Sequence, residues 1–277
     1  MTPEPKTSDP KPIKIVTWNI NSVRLRSEHV ARFVQESAPD ILCLQETKCH
    51  DDEFPEKAIR DMGFSYLAIA GQKGYHGVAI ASRLPFERLE KPDLCPQSEA
   101  RALALRFPQF DLYNLYVPAG GDIADPESNP KFAHKLAFLD RMERFFQHNN
   151  DQRARILVGD LNIAPGEHDV WSHQQLLDVV SHTPVETEAL ARILEAGQFS
   201  DLARKFVPHS EKLFSWWSYR SADWTKNNRG RRLDHIWASG AAVPAFEKSA
   251  AFGIHVRCRS WERPSDHVPV EAGFDFS

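Results

Sequence analysis

Nine short apolar runs, each too brief for a helix, recur along this chain, and several of them carry polar side chains at one end. They are "IKIVTWNI" (13–20), "DILCLQE" (40–46), "SYLAIA" (65–70), "GVAIAS" (77–82), "RALALRF" (101–107), "FDLYNLYVP" (110–118), "ARILVGDLN" (154–162), "RLDHIWAS" (232–239) and "HVPVEAGF" (267–274). Bounded by Gly, Pro and charged turns, they read as buried strands. Several follow one another too closely to be parallel neighbours, because a parallel pair needs a crossover of about a dozen residues. Between them lie helical patterns. In "NPKFAHKLAFLDRMERFFQHNN" (129–150), Phe132, Leu136, Leu139, Met142 and Phe146 make an apolar stripe with Lys and Arg opposite. Leu25, Val30, Phe33 and Val34 recur at helical spacing before Pro39; "DEFPEKAIRDMG" reads as a short helix closed by Gly63, and "PVETEALARILEAG" as a capped helix ending at Gly197. Long helices interleaved with short buried strands predict a mixed, layered α/β domain, two sheets face to face with helices outside.

The 277 residues show no repeat, linker or composition break, so a single domain is expected over 13–277. "MTPEPKTSDPKP" carries four prolines and no apolar run, and reads as a solvated tail over 1–12. The net charge of −4 argues against nucleic-acid binding by the whole surface while leaving room for a local basic groove. Cys43, Cys49, Cys95 and Cys258 form no C-x-x-C pair and no Cys/His zinc spacing; reduced thiols in a cytoplasmic protein are expected, with Cys43 in the core. No segment has the length and apolarity of a membrane span.

The strand ends collect chemistry. Asn19 and Asn21 follow "IVTW", Gln45 and Glu46 follow "ILCL", Tyr116 sits in "YNLYVP", Asp160 and Asn162 follow "ILVG", Asp234 and His235 lie in "RRLDHIW", and Asp266 and His267 open "SDHVPV". Singly, an Asp or Asn there is a turn former or cap, and a lone buried His is a satisfied core residue. Together they suggest one rim of carboxylates, amides, a phenol and an imidazole. Carboxylates gathered this closely repel unless a cation sits among them, and an oxygen-rich, Cys-poor set favours Mg²⁺ or Mn²⁺ over zinc.

The motifs "TWNINSVRLR", "PDILCLQETK", "YVPAGG", "VGDLNIAP", "FSWWSYRS", "RRLDHIWAS" and "SDHVPV" resemble, in order, those of exonuclease III-type apurinic/apyrimidinic endonucleases of the endonuclease/exonuclease/phosphatase superfamily, over nearly all of Lys14 to Phe274. The resemblance implies a four-layer α/β sandwich and a Mg²⁺-dependent nuclease on duplex DNA, incising 5′ to abasic sites or acting as a 3′→5′ exonuclease and 3′-end phosphatase. It implies Glu46 as main metal ligand, with Asn19 close by and Asp266 a further ligand. Asp160 would orient or deprotonate the attacking water, and Asn162 would hold the phosphate or Asp160. His267 would bond a phosphate oxygen, backed by Asp234, and Tyr116 would lie near the phosphorus or the leaving oxygen.

In "FSWWSYRSADWTKNNRGRR" (214–232) aromatics and cations interleave. This is either a surface loop over buried tryptophans or a DNA-facing loop in which Arg220, Lys226, Arg229, Arg231 and Arg232 meet phosphates and an aromatic packs on an exposed deoxyribose. The resemblance implies an apolar pocket for a flipped abasic sugar, with Trp216 and Leu233 matching it. Arg231 departs from it where relatives often carry an apolar residue, lining the pocket with its stem or pairing with a phosphate. Ala119 departs from it where some relatives carry asparagine, leaving the backbone of Gly120 and Gly121 as a substitute contact. Residues 165–185 are expected to form a rim loop, with His168, His173 and His182 facing solvent. A monomer is the default. The competing readings are a phosphodiesterase or phosphatase of the same superfamily acting on lipid or inositol headgroups, and a catalytically silent DNA-binding protein.

Overall fold

A computed structural model describes residues 11–149, 152–220 and 223–277, so the expected tail lies outside the described residues up to position 10. The strands run β1 (Ile13–Asn19), β2 (Ile41–Gln45), β3 (Tyr66–Ala70), β4 (Val78–Ser82), β5 (Glu87–Arg88), β6 (Ala102–Arg106), β7 (Asp111–Tyr116), β8 (Arg155–Asp160), β9 (Phe199–Asp201), β10 (Trp216–Trp217), β11 (Gly230–Arg231), β12 (Asp234–Ser239), β13 (Phe252–Ile254) and β14 (Val270–Phe274). The helices are α1 (Ser27–Ser37), α2 (Glu56–Asp61), α3 (Pro130–His148), α4 (His173–Leu176), α5 (Pro184–Ala196), α6 (Leu202–Phe206), α7 (Trp224–Asn227) and α8 (Val243–Ser249).

Two six-stranded sheets form the centre, in the orders β13-β14-β1-β2-β4-β3 and β5-β6-β7-β8-β12-β9. Each holds one parallel pair, β1–β2 and β7–β8, crossed over by α1 and α3; the remaining pairs are antiparallel. The sheets meet face to face over Ile15, Ile41, Ile80, Leu105, Phe110, Leu112, Ile156, Val158 and Ile236. Outside the first sheet, Val30 and Phe33 of α1 pack on Trp18 and Leu42. Outside the second, Phe138, Met142 and Phe146 of α3 and Leu190 and Ile193 of α5 pack on Leu157 and Trp237. The expected helix–sheet–sheet–helix sandwich is therefore what forms.

The helical stripes are corrected in detail. Leu25 precedes α1 and is 61% exposed, so the α1 seam begins at Val30. On α3 Leu136 is only half-buried, whereas Phe138 and, unexpectedly, Lys135 are fully buried. Helix α5 ends at Gly197 as expected, and its entry is a capping box of Thr183 with Glu186. Gly159, one residue before Asp160, has φ +144°, and a Cβ there would lie 1.9 Å from the carbonyl oxygen of Leu115. Only glycine lets β8 run this close to β7.

Arg232, expected to face phosphates, is instead fully buried and clamps the second sheet. Its guanidinium makes bidentate contacts with Asp169 (2.7 and 2.9 Å) and Asp201 (3.1 and 2.7 Å), and Asp169 also takes Arg204 at 2.5 Å. Burial opposes the charge on Asp169, yet Arg232 and Arg204 hold its carboxyl well below the usual range. Beside this cluster, His235 is buried in its neutral form: Nε2–H donates to Ile163 O (2.9 Å), and Nδ1 accepts from Arg232 (3.0 Å). Burial first, and the Arg232 charge second, lower its pKa to about 4.

The unfolded chain protonates His235 near pH 6.5, whereas the folded one resists until about pH 4. Stability should fall as pH drops through that window, and then further as Asp169 is protonated. His235→Gln should flatten the upper part of the fall in thermal unfolding scans between pH 7 and 4. Asp169→Ala, which strands buried Arg232, should cost about 3–5 kcal/mol in denaturant unfolding.

Candidate active site

The strand registers gather the polar ends at one edge of the sandwich. Asn19 pairs with Gln45 across β1–β2, so Glu46 lies just beyond it. Tyr116 pairs with Asp160 across β7–β8, and Asp234, opening antiparallel β12, pairs with Asp160 from the other side. A single β-bridge joins Trp216 of β10 to His267. Between the sheets, Gln45 donates to Asn114 (2.7 Å), and Asn114 donates to the carbonyls of Leu44 and Ala79 (3.1 Å each).

Asn19 is the link at the rim. Its Nδ2 donates to Glu46 Oε1 (3.0 Å) and to Asp160 Oδ2 (2.9 Å), joining carboxylates carried by different sheets. The backbone N–H of Asn21 donates to Asn19 Oδ1 (3.1 Å), which fixes the amide with its NH₂ towards the carboxylates. In this orientation Asn19 holds the two acids, and its oxygen is turned away from them.

Glu46 also accepts from the Tyr116 hydroxyl (2.6 Å) and pairs through Oε2 with Lys48 (2.8 Å), which donates to Asn21 Oδ1 (2.6 Å). Burial, with the charges of Glu46 and Asp160, raises the Tyr116 pKa well above the ordinary range, so the side chain is a neutral phenol. Asp160 is fully buried and accepts from Asn162 N at Oδ1 (2.9 Å) and from Asn162 Nδ2 at Oδ2 (3.2 Å). Asn162 is itself anchored by its amide on Val117 O (2.9 Å) and by Lys135 on its own carbonyl (2.8 Å). Burial raises the Asp160 pKa to about 7; Asp234 and Glu46 add to the rise, and His267 and the Asn19 bond oppose it.

His267 stands over Asp160. Its Nδ1–H donates to Asp234 Oδ2 (2.9 Å), an oxygen that also accepts from Ser215 Oγ (2.6 Å). Its Nε2 lies 3.6 Å from Asp160 Oδ2, close enough for charge attraction and too far for a hydrogen bond. Burial opposes a charge on the ring, but Asp234 and Asp160 outweigh it and push the pKa up to about 10. Asp266, one residue earlier, accepts from Asn21 Nδ2 (2.9 Å) and Trp216 Nε1 (2.9 Å). Burial would raise its pKa, yet His267 and these two donors lower it. Asn21, Glu46, Lys48 and Asn162 all have φ between 48° and 54°, and backbone conformations this uncommon for side-chain-bearing residues concentrate at functional sites.

The donor set suits a hard divalent cation. It offers oxygen atoms and no thiol, and the carboxylates of Glu46 and Asp160 converge there on the Asn19 amide. Asp160, Asp234 and His267 present ligand atoms within 4.8 Å of one another. Glu46, just past the end of β2, could hold the ion, and Asp266 is linked to it through Asn21 and Lys48.

Beside Trp216 opens a cavity of about 700 Å³ lined by Trp171, Val180, Trp216, Arg220, Arg229 and Arg231. Leu233 backs it, in a cluster with Ala164, Val170 and Leu176. Arg231 is committed to the wall: it donates to Val180 O (2.9 Å) and Ser181 Oγ (2.6 Å) and faces the Trp216 ring at 5.4 Å. Arg229 lies over Trp171 at 4.5 Å, and Arg220, Lys226 and Arg229 are exposed. Of the three histidines of 165–185, His168 is half-buried and the other two are drawn inward. His182 is buried and bonded to Ala164 O (2.6 Å), and His173 is bonded to its ring (2.8 Å). Ala119 is exposed.

Several contributors escaped the sequence reading. Lys48 follows Glu46 by two positions, inside the motif that carries it. Lys135 and Glu186 form a fully buried pair at 2.5 Å joining α3 to α5 behind Asn162. Burial lowers the Lys135 pKa, and Glu186 counters that. The lysine three residues from both Phe132 and Phe138, on the apolar side of α3, was the available signal.

A sandwich whose strand ends present carboxylates, a bridging amide and an acid-backed imidazole defines the class of site. The chain belongs to the endonuclease/exonuclease/phosphatase family, whose model matches residues 16–267. It is 29% identical over 275 residues to exodeoxyribonuclease III of Haemophilus influenzae, covering 95% of this chain and 100% of that one. Among solved structures, an AP endonuclease from Archaeoglobus fulgidus superposes with a TM-score of 0.85 at 33% identity, covering 95% of this chain and 99% of that one. The 3′-5′ exonuclease NExo of Neisseria meningitidis does so with a TM-score of 0.82 at 31% identity, covering 95% and 100%.

If Asp234 and Asp160 hold the imidazolium, His267 should stay cationic across the neutral range in ¹⁵N spectra. Asp234→Asn should then bring its titration down by at least about a unit. An unmoved midpoint in that variant would contradict the pairing.

Proposed function

We propose that this chain is a divalent-metal-dependent DNA-repair nuclease that hydrolyses phosphodiester bonds in duplex DNA. Its substrates would be abasic sites, incised on the 5′ side, and 3′ ends, trimmed as a 3′→5′ exonuclease or cleared as a 3′-phosphatase. The observation that carries this reading is the Asn19 bridge between Glu46 and Asp160 directly beneath the His267–Asp234 pair. The similarity to an exodeoxyribonuclease and an AP endonuclease supports it, as does the likeness to a Neisseria 3′-phosphatase bound to a DNA hairpin product, at 30% identity and a TM-score of 0.83.

The residues divide the work by their protonation. Glu46 would hold Mg²⁺, or Mn²⁺ in its place, with Asp266 as a neighbouring acid. The ion, when bound, supplies positive charge to the phosphate oxygens, where negative charge grows in the transition state. Asp160, with a pKa near neutrality, accepts the proton of the attacking water at its carboxylate, while Asn19 and Asn162 keep that carboxylate aimed. His267 donates Nε2–H to a non-bridging phosphate oxygen, and Asp234 keeps the ring charged and in register. Tyr116, a phenol whose one proton is donated to Glu46, steadies that acid near the phosphorus or the leaving oxygen. Trp216, Leu233 and the stem of Arg231 would receive the sugar beside the scissile bond, with Arg220, Lys226 and Arg229 along the phosphates. An abasic nucleotide has no base to unstack, so placing it there costs little.

Purified protein should cut a duplex carrying one tetrahydrofuran abasic analogue, or degrade a recessed 3′ end, in Mg²⁺ and not in chelator. Asp160→Asn and His267→Ala should each lower kcat by about 10²–10³, roughly 3–4 kcal/mol, with unfolding midpoints near that of the parent. Near-normal turnover in either variant would remove that residue from the mechanism. Preferential hydrolysis of an inositol phosphate or a phospholipid headgroup in the same assay would reassign the substrate.

A further inference from the structure

Away from the oxygen-rich rim lies a second cluster of different chemistry. The segment between β5 and β6 passes over α3 and sets Cys95 Sγ 3.3 Å from His134 Nε2 and 3.8 Å from Glu99 Oε2. The three ligand atoms lie within 4.8 Å of one another. We propose that Cys95, Glu99 and His134 form a binding site for a thiophilic divalent cation of the zinc type, separate from the hard-cation site at Glu46.

Three observations carry the assignment. First, the spacing is that of ligands around a tetrahedral ion. Bonds of about 2.3 Å to sulfur and about 2.0–2.1 Å to nitrogen at tetrahedral angles put S and N about 3.6 Å apart, and the cluster already stands near that separation. Second, the acid is pre-set by partners around it. Glu99 Oε1 faces His76 Nε2 at 3.2 Å, and Oε2 takes Arg101, so the carboxylate is held in place as ligating acids usually are. Third, Cys95 is buried while Glu99 and His134 are half-buried, so part of the cluster is in reach of solvent. A thiolate with an imidazole selects zinc-like ions over Mg²⁺, so the two sites would not compete for one metal. Binding replaces the thiol proton of Cys95, which leaves to solvent, and the sulfur–metal bond takes the place of the Cys95–His134 contact. The site would pin the 89–101 segment to α3. It also lies one side chain from the rim, since Arg101 bonds Glu99 and stacks over the Tyr116 ring at 4.7 Å.

The test uses the whole protein titrated with Co²⁺ in excess Mg²⁺, read by absorption. One equivalent should produce a near-ultraviolet sulfur-to-cobalt charge-transfer band. The rim holds no thiol, so the band cannot arise there, and its presence or absence is independent of nuclease activity. Cys95→Ser should abolish the band, and His134→Asn should weaken Co²⁺ binding by at least about tenfold, both with far-ultraviolet circular dichroism like the parent. Cys95→Ala serves if the serine variant does not fold. No band in the parent protein at one equivalent, or a band that survives in the Cys95 variants, would overturn the site and leave a simple thiol–imidazole hydrogen bond.

Discussion

One carboxamide holds two sheets and two acids in place. Asn19 donates to Glu46 from its own sheet and to Asp160 from the opposite one, and its orientation is set by a backbone donor that admits no flip. Without it, two carboxylates would face each other in a low-dielectric cleft, a configuration that costs several kcal/mol unless one takes a proton or an ion enters. The rest of the rim elaborates this contact. Tyr116 and Lys48 complete the shell of Glu46, Asn162 completes that of Asp160, and His267 brings a compensating charge from above.

The fold makes such a contact possible by ending both parallel strand pairs at the same edge. β1–β2 and β7–β8 each carry their C-terminal residues to the rim, and β12 enters antiparallel so that its first residue, Asp234, arrives there too. Behind the rim the anchoring is ionic rather than apolar. Lys135–Glu186 braces the turn at Asn162, and Arg232 ties the start of β12 to Asp169 and Asp201. Buried pairs of this kind add little net stability over apolar packing, but breaking one is costly. Their position next to a catalytic-type cluster is consistent with a role in geometry.

Much of this was legible in the amino-acid order. Period-two and period-3.6 patterning placed the nine strand runs and the long helices, because burial of one face is a local property of sequence. Asp160 and Asn162 announced themselves as polar residues closing an apolar run. What stayed hidden depended on distant partners. Arg232 reads like its neighbour Arg231 in "GRRLD", yet one is sealed against Asp169 and Asp201 and the other lines the cavity, since the acids that decide it lie 63 and 31 positions away. Lys135 looked like part of a solvated face until Glu186 supplied its counter-charge. His182 looked exposed in a polar loop whose burial comes from packing that no local window reports. The amide orientation of Asn19 depends on one backbone hydrogen bond across a turn in the left-handed region.

The most direct test of the account is a crystal structure of the protein with Mn²⁺ and an abasic duplex, with the ion located by its anomalous signal. The account predicts a peak about 2.0–2.2 Å from a Glu46 oxygen, with the scissile phosphate between that ion and His267 Nε2 and with Asn19 still bonded to Asp160. A peak remote from Glu46, or a phosphate bound where Asp160 and His267 do not face it, would contradict it.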